Sequence, residues 1–356
     1  MKIAVSFGIA NDDWERAAAW VQEAERLGVD FAWTGESWGY DAATPVAFMA
    51  ARTSSIGLGT SILQVPARTP ANIAMTALSL ASMSRDRFFL GLGASGPQVV
   101  EGWYGTRFNP AVTRIREVVD IVRMVTKGER LVYKGKVYEL PLPGGEGKPL
   151  RSGAKPRNIP IYLATLTPRS LEMTGEIADG WLASSFMPDH AEAFFQHIRA
   201  GAERAGRRLT DIDLQAGGVV AFSDDLEEVI AVRKPGFAFE MGAMGSREHN
   251  FYNQAYRRQG YAELAERVQT LWLDGHREEA AKLIPDEFVL KSNLLGTEAM
   301  VKQRIRVYRD AGVTTLRVDP AGKTFPERVE TLGRIVGLVR EIDAEPRDSV
   351  LPSGRP

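Results

Sequence analysis

Phe88-Phe89-Leu90-Gly91-Leu92 runs apolar without alternation and empties into Gly93-Ala94-Ser95-Gly96. A strand with one wet face alternates polar and apolar side chains. A run without alternation reads as a strand buried on both faces, as in a parallel sheet covered by helices. The string Gly91-Leu92-Gly93-Ala94-Ser95-Gly96 has the outline of a dinucleotide fingerprint, but no acidic ribose partner follows at the expected place. Its glycines are read instead as freeing the backbone for a strand-to-loop turn.

Working outward, the same unit recurs. Strands are expected at 3–7, 31–34 and 56–62 upstream, and at 159–164, 181–184, 214–222 and 315–318 downstream. Helical apolar periods occupy 14–27, 45–53, 71–83, 168–178, 190–205, 225–232 and 326–341. Each unit takes roughly 30 residues, the size of a βαβ crossover. Eight such units favour an α/β fold closed into a (β/α)8 TIM barrel over an open doubly wound sheet.

Two insertions break the rhythm of a single domain spanning 1–345. One, about 129–157 after helix 4, reads as a hairpin turning at Lys134-Gly135-Lys136, followed by a Gly/Pro-rich return. The other, 235–295 between strands 7 and 8, is helical and rich in aromatics. Long insertions in a compact domain are usually functional, and this one is expected to wall and gate the barrel mouth. Met241-Gly242-Ala243-Met244-Gly245 reads as its mobile element, and 346–356 as a disordered tail.

Composition narrows the function classes. There are no cysteines, which removes disulfides, thiolate metal sites and thiol catalysis. Net charge is −1 with no long basic run, so nucleic acid is not an expected partner. No stretch of about 18 uninterrupted apolar residues is present, and no signal peptide is read, so a cytoplasmic protein away from the membrane is expected.

In a barrel, function sits where strands end. The ends here, such as Thr34-Gly35-Glu36-Ser37, Gly59-Thr60-Ser61-Ile62 and Ala164-Thr165-Leu166-Thr167, are rich in Gly, Ser and Thr. No His pair stands at metal-ligand spacing and no P-loop is present, so no metal site is expected. A pocket of amides and hydroxyls suits a large cofactor that brings its own chemistry. Thr167 before Pro168 reads as a helix N-cap, and the free N–H groups there as a phosphate seat. Arg114 is the candidate cation for that phosphate.

The run Phe89 to Trp103, together with Asp30-Phe31-Ala32-Trp33-Thr34-Gly35-Glu36-Ser37-Trp38, Gly59-Thr60-Ser61-Ile62-Leu63 and Tyr308-Arg309-Asp310-Ala311-Gly312-Val313, resembles luciferase-like proteins of the coenzyme F420-dependent branch. The resemblance implies a cofactor ring held by Glu36, Ser61, Ile62, Ala94 and Ser95. It places Thr165, Leu166, Thr167 and Arg114 near the phosphate, and a non-prolyl cis peptide between Ser61 and Ile62. It also implies a homodimer, here through helices 45–53 and 71–83. Sugar-phosphate dehydrogenases of this kind carry a His after the strand-two acid and a Glu after strand four; Ser37 and roughly Gly96 stand there instead.

The expected activity is hydride transfer between F420 and an organic substrate, with Glu36 orienting a cofactor hydroxyl or relaying a proton. Trp38 and the inserted aromatics are expected to shape the substrate pocket. An FMN-dependent monooxygenase and a non-catalytic flavin-binding protein are the alternatives. Arg169, Lys155, Arg157 and Arg247 are expected to converge on one rim and hold the acidic cofactor tail.

Overall fold

The computed structural model describes residues 1–8, 12–245 and 249–345. Residues 346–356, read from sequence as a tail, and Arg247 lie outside the described residues.

Eight parallel strands close on themselves: β1 Lys2–Ser6, β2 Phe31–Thr34, β3 Gly57–Thr60, β4 Phe88–Gly93, β5 Ile161–Ala164, β6 Gly180–Leu182, β7 Asp213–Phe222 and β8 Thr315–Pro320. Closure is made by β8 on β1, with Lys2 opposite Thr315, and by β7, which pairs with both β6 and β8. The expected TIM barrel is the observed fold.

Each strand is followed by a helix that covers it: α1 Trp14–Leu27, α2 Ala43–Arg52, α3 Pro70–Met83, α4 Ala111–Thr126, α5 Pro168–Ile177, α6 Glu192–Arg204, α7 Glu298–Asp310 and α8 Phe325–Ala344. The ends follow local chemistry. Asp13 caps α1 by accepting from the Arg16 N–H, and Gly28, at φ 84°, ends it in the left-handed conformation that costs glycine least. Thr324 caps α8.

Alternation along the strands sends one face into the barrel. Phe31, Trp33, Phe89, Tyr162 and Leu182 pack there as a plug. The large rings need bare neighbours. A Cβ on Gly59 would lie 2.2 Å from the Trp33 ring, and one on Gly180 would lie 2.1 Å from Tyr162. The plug closes the barrel interior below its C-terminal mouth and leaves the mouth open.

The first insertion is the expected hairpin, with Tyr133 opposite Leu140. Buried Glu117 of α4 pins it by accepting from the amides of Lys136 (2.6 Å), Val137 and Tyr138 (both 2.9 Å). The second insertion departs from expectation at both ends. The helix after β7, Leu226–Ala231, belongs to the insertion and packs on a short strand, Leu294–Gly296, that extends the sheet beside β7. The seventh covering helix is α7, which follows that strand.

The insertion has its own core, including Ala238, Met241, Tyr256, Val268, Ile284 and Phe288. The reading of Met241–Gly245 as a mobile element is corrected for its first three residues, which belong to a helix, while Met244 and Gly245 follow that helix's end. Met241 and Gly242 are buried in the helix Lys234–Ala243, and a Cβ on Gly242 would lie 2.3 Å from Trp272. That glycine serves close packing of helices. No helix of the described residues is long and apolar enough to cross a membrane.

Candidate functional site

A cavity of about 640 Å³ opens at the C-terminal mouth of the barrel. Its floor and near walls come from strand ends: Ser6, Ser61, Ile62, Ala164, Leu182 and Arg317. Its far wall comes from the second insertion, through Arg233, Phe237, Glu240, Tyr252 and Tyr256.

The Ser61–Ile62 peptide is cis, as expected. It is built into the end of β3 by neighbours that leave no spare room. Ser61 donates its N–H to Thr34, the Ile62 carbonyl accepts from Glu36, and a Cβ on Gly35 would meet the Ser61 carbonyl at 2.5 Å. Gly93 at the end of β4 gives the Ile62 side chain its space, and Ala94 and Ser95 follow directly, Ser95 with a left-handed φ of 60°. A non-glycine residue held there is frequent at functional loops. Ser61 and Ile62 line the cavity, whereas Ala94 and Ser95, next to Gly93 in the chain, are not among its lining residues.

Glu36 departs from its expected role. Its side chain is only 4% exposed and is gripped by Arg68 through both guanidinium nitrogens, at 2.6 and 2.9 Å. The amides of Gln64 (2.7 Å) and Ala42 (3.1 Å) donate to the same carboxylate. Four donors fill both oxygens, so Glu36 is a structural anchor for the loops around Ile62, with no oxygen left to relay a proton.

The loop expected to seat a phosphate opens α5, and its side chains are wired differently from the expectation. Thr167 caps α5 in a capping box with Ser170, and Pro168 opens the helix. Thr165 is buried, its hydroxyl paired with Thr174 at 2.8 Å and its carbonyl accepting from Trp181, so its side chain is spent on the core. Arg114 is buried and donates to the carbonyls of Arg107 and Phe108, both at 2.8 Å; it braces the start of α4. The cation that does meet the loop is Arg258, which donates to the Leu166 carbonyl. Its buried Nε has no hydrogen-bond partner among the described residues.

Of the four cations expected on one rim, the three that are described do not converge there. Arg157 pairs with Asp86, and its N–H bonds to Thr126 at the end of α4. Both are at the N-terminal face, because the chain must return there to begin β5, and Lys155 lies on that return. Arg169 lies outside the barrel in a cleft between α4 and α5, among Arg116, Glu172, Glu176 and Arg204. Trp38 is 63% exposed on the outer mouth, while Tyr252, Tyr256 and Phe237 do line the cavity.

Sequence reasoning missed two groups. Arg317 of β8 donates to the Ser61 hydroxyl at 2.9 Å, and burial pushes its pKa down to about 10. Its signal was legible, since Thr315, Arg317 and Asp319 share the inward register. The other group is Glu240, on the insertion helix Lys234–Ala243. Tyr256 and Ser185 both donate hydroxyl hydrogens to its Oε2, at 2.6 and 2.9 Å. Burial raises its pKa above the ordinary carboxylate value, and the two donors offset this only in part. Nothing in the local sequence marks Glu240, because its partners come from the segment after β6 and from a second insertion helix. Oε1 takes no hydrogen bond from the described residues. The arrangement can therefore hold a proton at the cavity wall and release it to a bound molecule.

Residues 1–315 match the luciferase-like monooxygenase family. A Mycobacterium tuberculosis protein named "Putative coenzyme F420-dependent oxidoreductase" is 39% identical over 350 residues, covering 94% of this chain and all of that one. The 5,10-methylenetetrahydromethanopterin reductase of Archaeoglobus fulgidus is 25% identical over 336 residues, 94% of this chain and 98% of its own. Among solved structures, the coenzyme F420-dependent tetrahydromethanopterin reductase of Methanopyrus kandleri superposes with a TM-score of 0.76 at 25% identity, covering 93% of this chain and 97% of that one.

Proposed function

The chain belongs to the luciferase-like monooxygenase family, and from that premise we propose that it is a coenzyme F420-dependent oxidoreductase that moves a hydride between the deazaflavin and an organic substrate. End-to-end similarity to the mycobacterial relative supports the choice of cofactor. The observation that carries the reaction class is Glu240, a carboxyl kept toward its protonated form on the wall of the same cavity that Ser61 and Ile62 line.

The residues fit such a cofactor. Ser61, Ile62, Ala94 and Ser95 would hold its ring and side chain. Thr167, the Leu166 backbone and Arg258 would hold its phosphate, and the unpartnered buried Nε of Arg258 is a donor in need of an acceptor. When bound, F420 supplies two-electron hydride chemistry.

The protein's share is positioning and proton control. Glu240 holds a proton that it gives to the substrate atom gaining electron density, and takes one back when the reaction runs in reverse. Tyr256 and Ser185 steady the carboxylate that remains. Phe237, Tyr252 and Tyr256 keep bulk water from the reacting atoms.

The test is a titration of the cofactor-free protein with F420 and with FMN, at low and high salt, followed by cofactor fluorescence. F420 is expected to bind at least tenfold tighter. Equal affinity, or tighter FMN, overturns the reading in favour of a flavin monooxygenase.

A further inference from the structure

We propose that Arg317 is an anion subsite for the substrate: the cavity takes an organic molecule bearing a carboxylate, which docks on this guanidinium. The proposal rests on the reading of the cavity as the substrate chamber of this oxidoreductase, and deepens it by naming a substrate class.

Other arginines of the fold spend their terminal nitrogens on carboxylates, carbonyls or several acceptors at once. Arg68 grips the carboxylate of Glu36, and Arg304 pairs with Asp189. Arg87 spends its two terminal nitrogens on the Thr53 hydroxyl and the carbonyls of Ala50, Thr53 and Ile56. Arg114 takes two carbonyls. Arg317 has one neutral hydroxyl, that of Ser61. Asp319, next on the same strand face, is turned to Arg328 at 3.8 Å. Among the described residues no carboxylate lies within ion-pairing distance of Arg317, although Glu240 lines the same cavity.

The guanidinium is also uncovered. Its ladder partner on β7 is Gly217, followed by Gly218, so no β7 side chain stands over it. Both glycines line the cavity with it. A half-buried cation with no carboxylate within ion-pairing distance gains from an incoming anion. A planar fork of N–H donors matches the two oxygens of a carboxylate better than a single neutral oxygen. Burial lowers the Arg317 pKa only to about 10, so the charge is present at neutral pH. The subsite then fixes one end of the substrate on the barrel floor while Glu240 serves the other from the insertion wall.

The probes are benzoate and its neutral isostere benzamide, titrated by calorimetry into the full chain with and without F420. Wild-type protein is expected to bind benzoate at least tenfold more tightly than benzamide. Arg317→Met is expected to erase that preference, and to weaken benzoate by a larger factor than it weakens F420. Arg317→Lys, which keeps the charge but not the fork, should fall between them, and it provides the comparison if the methionine variant does not fold. Equal binding of the two probes by wild-type protein overturns the proposal. So does an Arg317→Met protein that keeps the benzoate preference, or one that loses F420 tenfold with benzoate unaffected, which would assign the guanidinium to the cofactor. A wild-type protein that ignores F420 refutes the cofactor reading alone, because the probe comparison on the cofactor-free protein still decides the subsite.

Discussion

Tyr256 donates its hydroxyl hydrogen to Oε2 of Glu240 at 2.6 Å, linking two helices of the insertion across the wall of the cavity. Burial raises the pKa of the carboxyl and also that of the phenol, so the pair is a neutral acid beside a neutral donor over the lower part of the pH range. In the proposed reaction the protonated carboxyl is the active form in the reductive direction. The rate should hold at low pH and fall as pH rises through the raised Glu240 value. Glu240→Gln should abolish that limb and lower turnover by about 10²–10⁴-fold, with F420 binding intact. Tyr256→Phe removes a donor to the carboxylate and should move the limb to higher pH. A folded pKa above the unfolded one also means that the stability tied to this group is fully present below the unfolded value of 4.5 and is lost as pH rises through the folded one. Stopped-flow rates across pH, read on the reduced cofactor, check the kinetic claim.

Glu36 and Arg68 form a largely buried fork, with side chains 4% and 18% exposed. Removing one partner strands the other. Glu36→Gln or Arg68→Met should cost about 3–5 kcal/mol of stability, read from urea unfolding. F420 affinity should fall with it, since the carboxylate also holds the amides of Gln64, just after Ile62, and of Ala42 in the β2–α2 loop. A stable Glu36→Gln protein with normal cofactor affinity and a lost pH limb would restore Glu36 as the proton relay.

Glu117 should matter locally. Three consecutive hairpin amides converge on its carboxylate, and a Cβ on Gly135 would lie 2.4 Å from it. Glu117→Gln should cost about 1–3 kcal/mol and speed hydrogen exchange at Lys136, Val137 and Tyr138 before other amides. Uniform acceleration across the barrel would contradict that placement.

The α3 helix leaves Met75 and Met83 60% and 55% exposed, with Ser79 and Ser82 between them on the same face. That stripe is the proposed homodimer face. Light scattering at micromolar concentration should report a dimer, and Met75→Glu combined with Met83→Glu should give a monomer. A monomeric wild-type protein would end the proposal.

How far the sequence could be read depended on how local the information was. The barrel was legible because most buried strands are short and apolar like 88–92, and most covering helices carry their own apolar period, α1, α3, α5, α7 and α8 with side-chain caps as well. The cis Ser61–Ile62 position was legible through its resemblance to a family. The covering helix after β7 was misplaced, because 225–232 and 298–310 both carry apolar periods and only packing tells which one covers the barrel. Gly242 was misread, since a glycine that admits the Trp272 ring looks the same in sequence as one that bends a loop.

The site divides along the same line. Periodicity and composition alone favoured a barrel with a glycine-, serine- and threonine-lined mouth over an open sheet, because burial on two faces and turn chemistry are written in neighbouring residues. Which charges are spent and which are free was decided by contacts between residues far apart in the chain. Arg68, 32 positions away from Glu36, converts an apparent catalytic acid into an anchor. Ser185 lies 55 positions from Glu240 and helps turn an unremarked helix residue into an acid on the cavity wall. Arg317 reaches Ser61 across 256 positions. A side chain's charge is a property of the sequence, but its availability depends on which partners the closed barrel brings within about 3 Å.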